Sequence, residues 1–262
     1  VLSLDALAKA RMNIAPTDKI QVALVGVRSQ GWSNLVSILK NPEVECVALC
    51  DIDRNFLNQR TDELVKMGRP QPKLYLDYRK MLENKDIDVV IIGTPDHWHC
   101  LILCDTLESG RHAYVEKPIG NSIAEINIMH KAVKKHGKIV QVGQWQRSQP
   151  HFVDAINFVK SGKLGRIRAT KAWSFVDWKG PVPKVPDSPV PQGVDYNMWL
   201  GPAPQRPFNK NRFHFPWRWY WEYGNGLMTD WGVHLIDYIL YGMGKSIPES
   251  VMAIGGKYAF PD

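Results

Sequence analysis

Short apolar runs alternate with stretches of helical spacing through the first half of the chain. Ile20 to Val25, Val44 to Cys50, Lys73 to Leu76, Asp88 to Gly93, His112 to Val115 and Ile139 to Val142 have the length and apolar content of buried strands. Between them, Trp32 to Leu39, Asp53 to about Met67, Tyr78 to Leu82, His97 to Leu107 and Ile123 to Lys135 carry helical periodicity. Asp53 is placed to cap its helix, and Gly68, Gly110 and Gly137 stand where helices stop. Strands and helices in this order call for right-handed crossovers and a parallel sheet covered on both faces. The first part of the chain is therefore expected to be an α/β, doubly wound domain.

The pattern changes near His151. A helix to about Ser161 and a turn from Gly162 to Gly165 lead to Ile167 to Phe175, whose alternation predicts a strand. Trp178 to Pro216 then reads as loop and holds nine of the eighteen prolines. Gly226 to Leu240 predicts one further helix, and Val251 to Ile254 the start of another strand. Two domains follow, residues 18–148 and 149–262.

With 262 residues, 44% hydrophobic and 23% charged, the chain is a soluble globular type, and no apolar run approaches a membrane span. The net charge of +7 is dispersed, and its densest run, Lys131 to Lys138, has the spacing of a solvated helix face. Without a recognition motif it does not point to nucleic acid. Cys46/Cys50 and Cys100/Cys104 each share a face in apolar surroundings, as small buried side chains do, and no metal site is expected from them.

Chemistry enters at the sheet edge. Gly26-Val27-Arg28-Ser29-Gln30-Gly31 links the first strand to a helix, where backbone N–H groups and a helix N-terminus can approach a pyrophosphate. Arg28 stands where the middle glycine of the dinucleotide fingerprint is usual. Asp51, ending the next strand, can take ribose hydroxyls and would repel a 2′-phosphate, so NAD is expected over NADP. Thr94, Pro95, His97 and His99 follow the fourth strand at the same edge. The two histidines are more ordinary as polar contacts or a cap than as metal ligands.

Lys117, between Glu116 and Pro118, projects from that edge as well, and its bland reading is a surface ion pair. Beside an oxidised nicotinamide its ammonium form would be disfavoured, which suits proton transfer. Asp230 and His234 lie four apart on the predicted helix and hence on one face, with Asp237 three further on. His234 can take a hydroxyl proton while Asp230 fixes its tautomer or holds a neighbouring hydroxyl. Six of the ten tryptophans fall between Trp173 and Trp221, a composition that suits either sugar stacking or plain core packing.

Together the glycine turn, Asp51-Ile52-Asp53, Gly93 to His99, Glu116-Lys117-Pro118, Val142-Gly143-Gln144 and Asp230 to His234 resemble the glucose–fructose oxidoreductase / inositol 2-dehydrogenase / rhizopine catabolism (Gfo/Idh/MocA) family. The resemblance implies a Rossmann domain and then an α+β domain with an open, mostly antiparallel sheet, incomplete here, that often forms a dimer face. It implies NAD held by Gly26, Val27, Arg28, Gly31, Asp51, Thr94, Pro95, His97, His99, Glu116, Lys117 and Gln144. Lys117, Asp230 and His234 are its implied catalytic set, with Trp173, Arg218 and Trp219 joining them at a sugar, glycoside or cyclitol. A homo-oligomer is implied for the full-length protein.

Asp195 to Pro202 and Trp217 to Trp221 resemble the subgroup found in polysaccharide-degrading bacteria, many of whose members carry a twin-arginine export signal. Leu2, Leu4, Leu7 and Ala8 fit the stub of such a signal, which would place the protein in the periplasm; the cytoplasm is the alternative. Hydride transfer between a ring hydroxyl and NAD is the expected activity. The alternatives are an NAD-dependent glycosidase that oxidises a ring carbon transiently, and a non-enzymatic dinucleotide-sensing regulator on the same fold.

Overall fold

The computed structural model describes residues 19–175 and 182–256. The proposed signal stub and Trp178 lie outside them. Six strands form one parallel sheet: β1 (Ile20–Val25), β2 (Val44–Cys50), β3 (Lys73–Tyr75), β4 (Val89–Ile92), β5 (His112–Val115) and β6 (Val140–Val142), in the order β3-β2-β1-β4-β5-β6. Between them run α1 (Ser29–Ile38), α2 (Arg54–Lys66), α3 (Tyr78–Met81), α4 (Asp96–Glu108) and α5 (Ile123–His136). The order reverses between β1 and β4, and a ligand crevice opens outside the strand ends at such a switch point.

Alternation along β1 divides the core. Val22 and Leu24 face a cluster with Leu35 of α1 and Leu57 and Leu64 of α2. Ala23 and Val25 face the opposite cluster, with Trp98, Ile102 and Leu103 of α4 and Met129 of α5. Helix ends follow local chemistry: Asp53 accepts from the Asn55 N–H, Ser122 and Glu125 form a capping box, and Gly137 closes α5 at φ 62°.

The chain divides into two compact units. The first comprises residues up to Gly143 together with Pro189–Phe208, so a segment expected in the second domain packs with the sheet domain instead. That segment contains a short helix, α7 (Tyr196–Leu200), inside what the prolines suggested was unbroken loop.

The second unit holds α6 (Pro150–Lys160), α8 (Gly226–Asp230), α9 (Gly232–Met243) and 3-10 turns at Trp145–Ser148 and Pro216–Trp219. Helix α9 lies on α6, with Tyr238 Oη donating to the Phe152 carbonyl at 2.9 Å. Two expected strands are absent here among the described residues: Ile167 to Phe175 and Val251 to Ile254 have no ladder partner. Trp173 is 72% exposed and Ile254 87%, so an alternating pattern without a pairing edge or a buried face has nothing to hold it as a strand. No helix among the described residues is long and apolar enough to cross a membrane.

Candidate active site

Three glycines pack backbone against backbone at the switch point. Gly26 takes φ +86°, and a Cβ there would lie 2.7 Å from the carbonyl carbon of Gly93. A Cβ on Gly31 would sit 2.2 Å from the Gly26 oxygen, and one on Gly93 only 2.5 Å from the Gly31 Cα. Only hydrogen fits at these positions, and the result is that the first turn of α1 meets the ends of β1 and β4. Arg28 precedes α1 with φ −91°, an ordinary value, so the middle position of this turn does not require glycine.

Arg28 folds back over the Phe56 ring at 4.1 Å. Burial lowers its pKa, against the opposing pull of Asp51 and Asp53, and its Nη1 is buried with no hydrogen-bond partner among the described residues. Asp51 Oδ2 accepts the Val27 N–H at 2.8 Å and Oδ1 the Asp53 N–H at 3.0 Å. Burial nonetheless pushes its carboxyl up to about 6. At the end of β4 the Thr94 hydroxyl is likewise buried without a partner among the described residues. A glycine cradle, a carboxylate at the end of β2 and two orphaned polar groups fit a dinucleotide. Gly26, Val27, Gly31, Asp51 and Thr94 come together there.

The histidines after β4 are engaged by the protein. His97 Nε2 lies 3.0 Å from the Trp199 carbonyl. His99 sets Nδ1 2.7 Å from the Pro118 carbonyl and Nε2 2.9 Å from that of Thr94. Burial lowers the His99 pKa, in opposition to those two carbonyls. Both ring nitrogens of His99 are thus occupied by backbone, so this residue ties the Thr94 turn to the Lys117-Pro118 turn rather than offering itself to a cofactor. Pro95 takes the N-cap position of α4.

Glu116 is buried rather than at the surface. It is 4% exposed, its Oε1 accepts from Asn34 Nδ2 of α1 at 2.8 Å, and its Oε2 accepts the Lys117 N–H at 3.1 Å. A side chain on Gly143 would reach to 2.6 Å from that carboxylate. Lys117 is half-buried and followed by a cis peptide to Pro118. Asn34, absent from the expected residues, links the nucleotide helix to the lysine turn; its helical spacing from Gly31 carried no sign of this.

In the second unit, Asp230 and His234 do not share one helix. Asp230 ends α8, Trp231 breaks the run at φ −107°, and Gly232 opens α9. Asp230 Oδ2 lies 3.5 Å from Arg218 Nε, and the Arg218 guanidinium stacks on Trp217 at 4.4 Å. His234 Nδ1 lies 3.1 Å from Gln144 Oε1, a partner that the sequence did not suggest. With that oxygen accepting, Nδ1 carries the proton and Nε2 is the acceptor nitrogen of the neutral ring. Trp145 packs edge-on to the imidazole at 5.9 Å, and Asp237 forms a two-pronged ion pair with Arg147 at 2.6 and 2.8 Å. Trp219 lines a separate cavity of about 320 Å³ with Lys184, Asn209, Arg212 and Tyr220, whereas Trp173 is exposed beside Lys171. Among the described residues no group of three metal-ligating side chains occurs.

A doubly wound sheet with this glycine cradle and carboxylate defines a dinucleotide-binding protein of the Rossmann class. Residues 20–144 match the oxidoreductase family's NAD-binding Rossmann fold and residues 159–254 its C-terminal alpha/beta domain. The chain belongs to the Gfo/Idh/MocA oxidoreductase family, and its first domain is an NAD-binding one.

It is 39% identical over 160 residues to a glycosyl hydrolase family 109 protein of Shewanella baltica, covering 59% of this chain and 35% of that one. An alpha-N-acetylgalactosaminidase of Shewanella oneidensis is 38% identical over the same length and with the same shares. The chain thus spans about a third of these curated relatives. Among solved structures, the myo-inositol 2-dehydrogenase of Lactobacillus plantarum superimposes with a TM-score of 0.53 at 26% identity, over 57% of this chain and 43% of that one.

Proposed function

We propose that the protein transfers hydride between a ring hydroxyl of a sugar, glycoside or cyclitol and NAD. The observation that carries this reading is the His234–Gln144 pair, which turns the acceptor nitrogen of a buried imidazole away from its anchor. A bound nicotinamide supplies the hydride acceptor. His234 Nε2 takes the proton of the reacting hydroxyl, and the Lys117 ammonium holds the oxygen as its hydrogen is lost. Asp230, oriented by Arg218, accepts from a neighbouring hydroxyl. On the nucleotide side, Gly26, Val27 and Gly31 hold the pyrophosphate, Asp51 the ribose and Thr94 the sheet-edge contact. The similarity to a myo-inositol 2-dehydrogenase supports the cyclitol or sugar class. In the full-length protein the second domain is proposed to pair with a second copy.

A second reading is favoured by the Shewanella relatives, both named for glycoside cleavage. In that reading the oxidation of a ring carbon is transient: it acidifies the neighbouring C–H, the aglycone is eliminated, water adds in its place and the hydride returns. Incubation of the full-length protein with NAD, a panel of free sugars and cyclitols, and the matching nitrophenyl glycosides separates the two. NADH accumulating without aglycone release supports the dehydrogenase; aglycone release without net NADH supports the glycosidase. Neither signal from wild-type protein, or full activity in Lys117→Ala, refutes the shared site.

A further inference from the structure

Residues 189–208 return from the second half of the sequence to the carboxyl edge of the sheet. Val194 forms an antiparallel bridge with Asp53. The Asp195 N–H donates to the Ile52 carbonyl at 2.8 Å, the Arg54 N–H to Gly193 at 2.9 Å, and Asn55 Nδ2 to Gln192 at 3.0 Å. Farther along, Trp98 Nε1 donates to the Trp199 carbonyl at 3.0 Å, the same oxygen that His97 reaches. Two glycines seat the segment. Gly193 has φ +86° and lies against Asn55, and a Cβ on Gly201 would be 2.0 Å from the Trp98 ring.

The segment walls a groove beside the end of β2. The groove, of about 470 Å³, has Ile52, Arg54 and Leu76 on the sheet side and Val190 and Gly193 to Asn197 opposite. A smaller cavity of about 50 Å³ shares Ile52 and Leu76, reaches Gly26, Asp51 and Thr94, and is closed by Met198 and Trp199. Through Ile52 and Leu76 the groove adjoins the cavity that reaches the glycine turn and Asp51, and it offers apolar side chains with an amide at Asn197.

We propose that residues 189–208 are part of the nucleotide site, a strap that walls the adenosine end of the dinucleotide and slows its release. This rests on the NAD reading of the glycine cradle. Because the contacts at residues 192–195 fall on residues 52–55, next to Asp51, loosening that end acts on the adenosine half alone.

The test uses full-length protein freed of nucleotide, with NAD, ADP-ribose and nicotinamide mononucleotide as probes in calorimetry or ligand-observed NMR, and NAD release followed after dilution. Gly193→Ala strains the strap, and Asn55→Ala, at an exposed position, removes one of its anchors without touching the core. Both variants are expected to bind NAD and ADP-ribose about tenfold more weakly and release NAD faster, with nicotinamide mononucleotide unaffected. Unchanged NAD affinity and release in both variants overturns the strap while leaving the cradle intact, as does equal weakening of all three probes. No binding of NAD or ADP-ribose to wild-type protein overturns the nucleotide reading itself, and the strap with it.

Discussion

Gln144 holds the Nδ1 side of His234 at 3.1 Å, and this fixes which ring nitrogen can take a proton. Replacing Gln144 with Ala frees the tautomer and the ring, and the turnover rate should fall about 10- to 100-fold with KM little changed. Gln144→Glu sets a carboxylate against the imidazole and favours its charged form, so the acid limb of the rate profile should move to higher pH. A pH series of kcat for the three proteins checks both outcomes; identical profiles would remove Gln144 from the mechanism.

Asp51 titrates where it can be seen. Its folded pKa of about 6 lies above the ordinary 3.8, so the folded protein binds this proton more tightly than the unfolded chain does. The penalty of the buried carboxylate is complete above about pH 6 and disappears as pH falls towards 4. Nucleotide binding runs the other way, since protonation removes an acceptor for ribose hydroxyls. NAD affinity should weaken several-fold between about pH 7 and 5 in wild type and stay nearly flat, at a lower level, in Asp51→Asn. Calorimetric titration across that range measures it.

The three interlocked glycines predict a steep contrast. Gly93→Ala forces a methyl to 2.5 Å from the Gly31 backbone, and denaturant unfolding should show a loss of about 3 kcal/mol or more. Gly68 has φ +74° but open space around it, and Ala there should cost only about 1 kcal/mol of left-handed strain.

Asn34→Ala should destabilise the protein by about 1–3 kcal/mol, because the buried Glu116 carboxylate loses a donor that bridges two elements. Asn34→Asp should be worse, since it adds a second carboxylate beside the first. Denaturant midpoints of the two variants rank the effects.

The thiols should be silent until the fold opens. Burial pushes Cys46 and Cys100 up to about 12, raises Cys50 well above its usual range and raises Cys104 less. At pH 8 a disulfide reagent should label wild-type protein slowly, with all four cysteines reacting at once in guanidinium. Rapid labelling of Cys46 or Cys50 in native protein contradicts the burial.

The sheet domain was legible because its signals are local. Each apolar run bounded by Gly, Asp or Pro became a strand, and Asp53 and Gly137 cap the helices that they were expected to cap. The partners of the site residues were not legible. Nothing in the spacing pairs Glu116 with Asn34 or His234 with Gln144, for these are contacts across 82 and 90 residues. Helical periodicity ran straight through Trp231, where the backbone breaks, because Trp231 and Gly232 keep the apolar spacing while changing the geometry. The alternation of Ile167 to Phe175 misled for a different reason: it reports a face that wants burial, and burial needs a partner strand.

The return of residues 189–208 to the first unit carries a consequence for biosynthesis. All six strands are encoded by the time Val142 is added, and the glycine cradle can close once they have cleared the exit tunnel. Forty-six residues lie between Val142 and Pro189, where the segment that walls the groove begins. On the strap proposal, translation leaves an interval in which the crevice is folded yet open at one end, before the wall that slows release has been made.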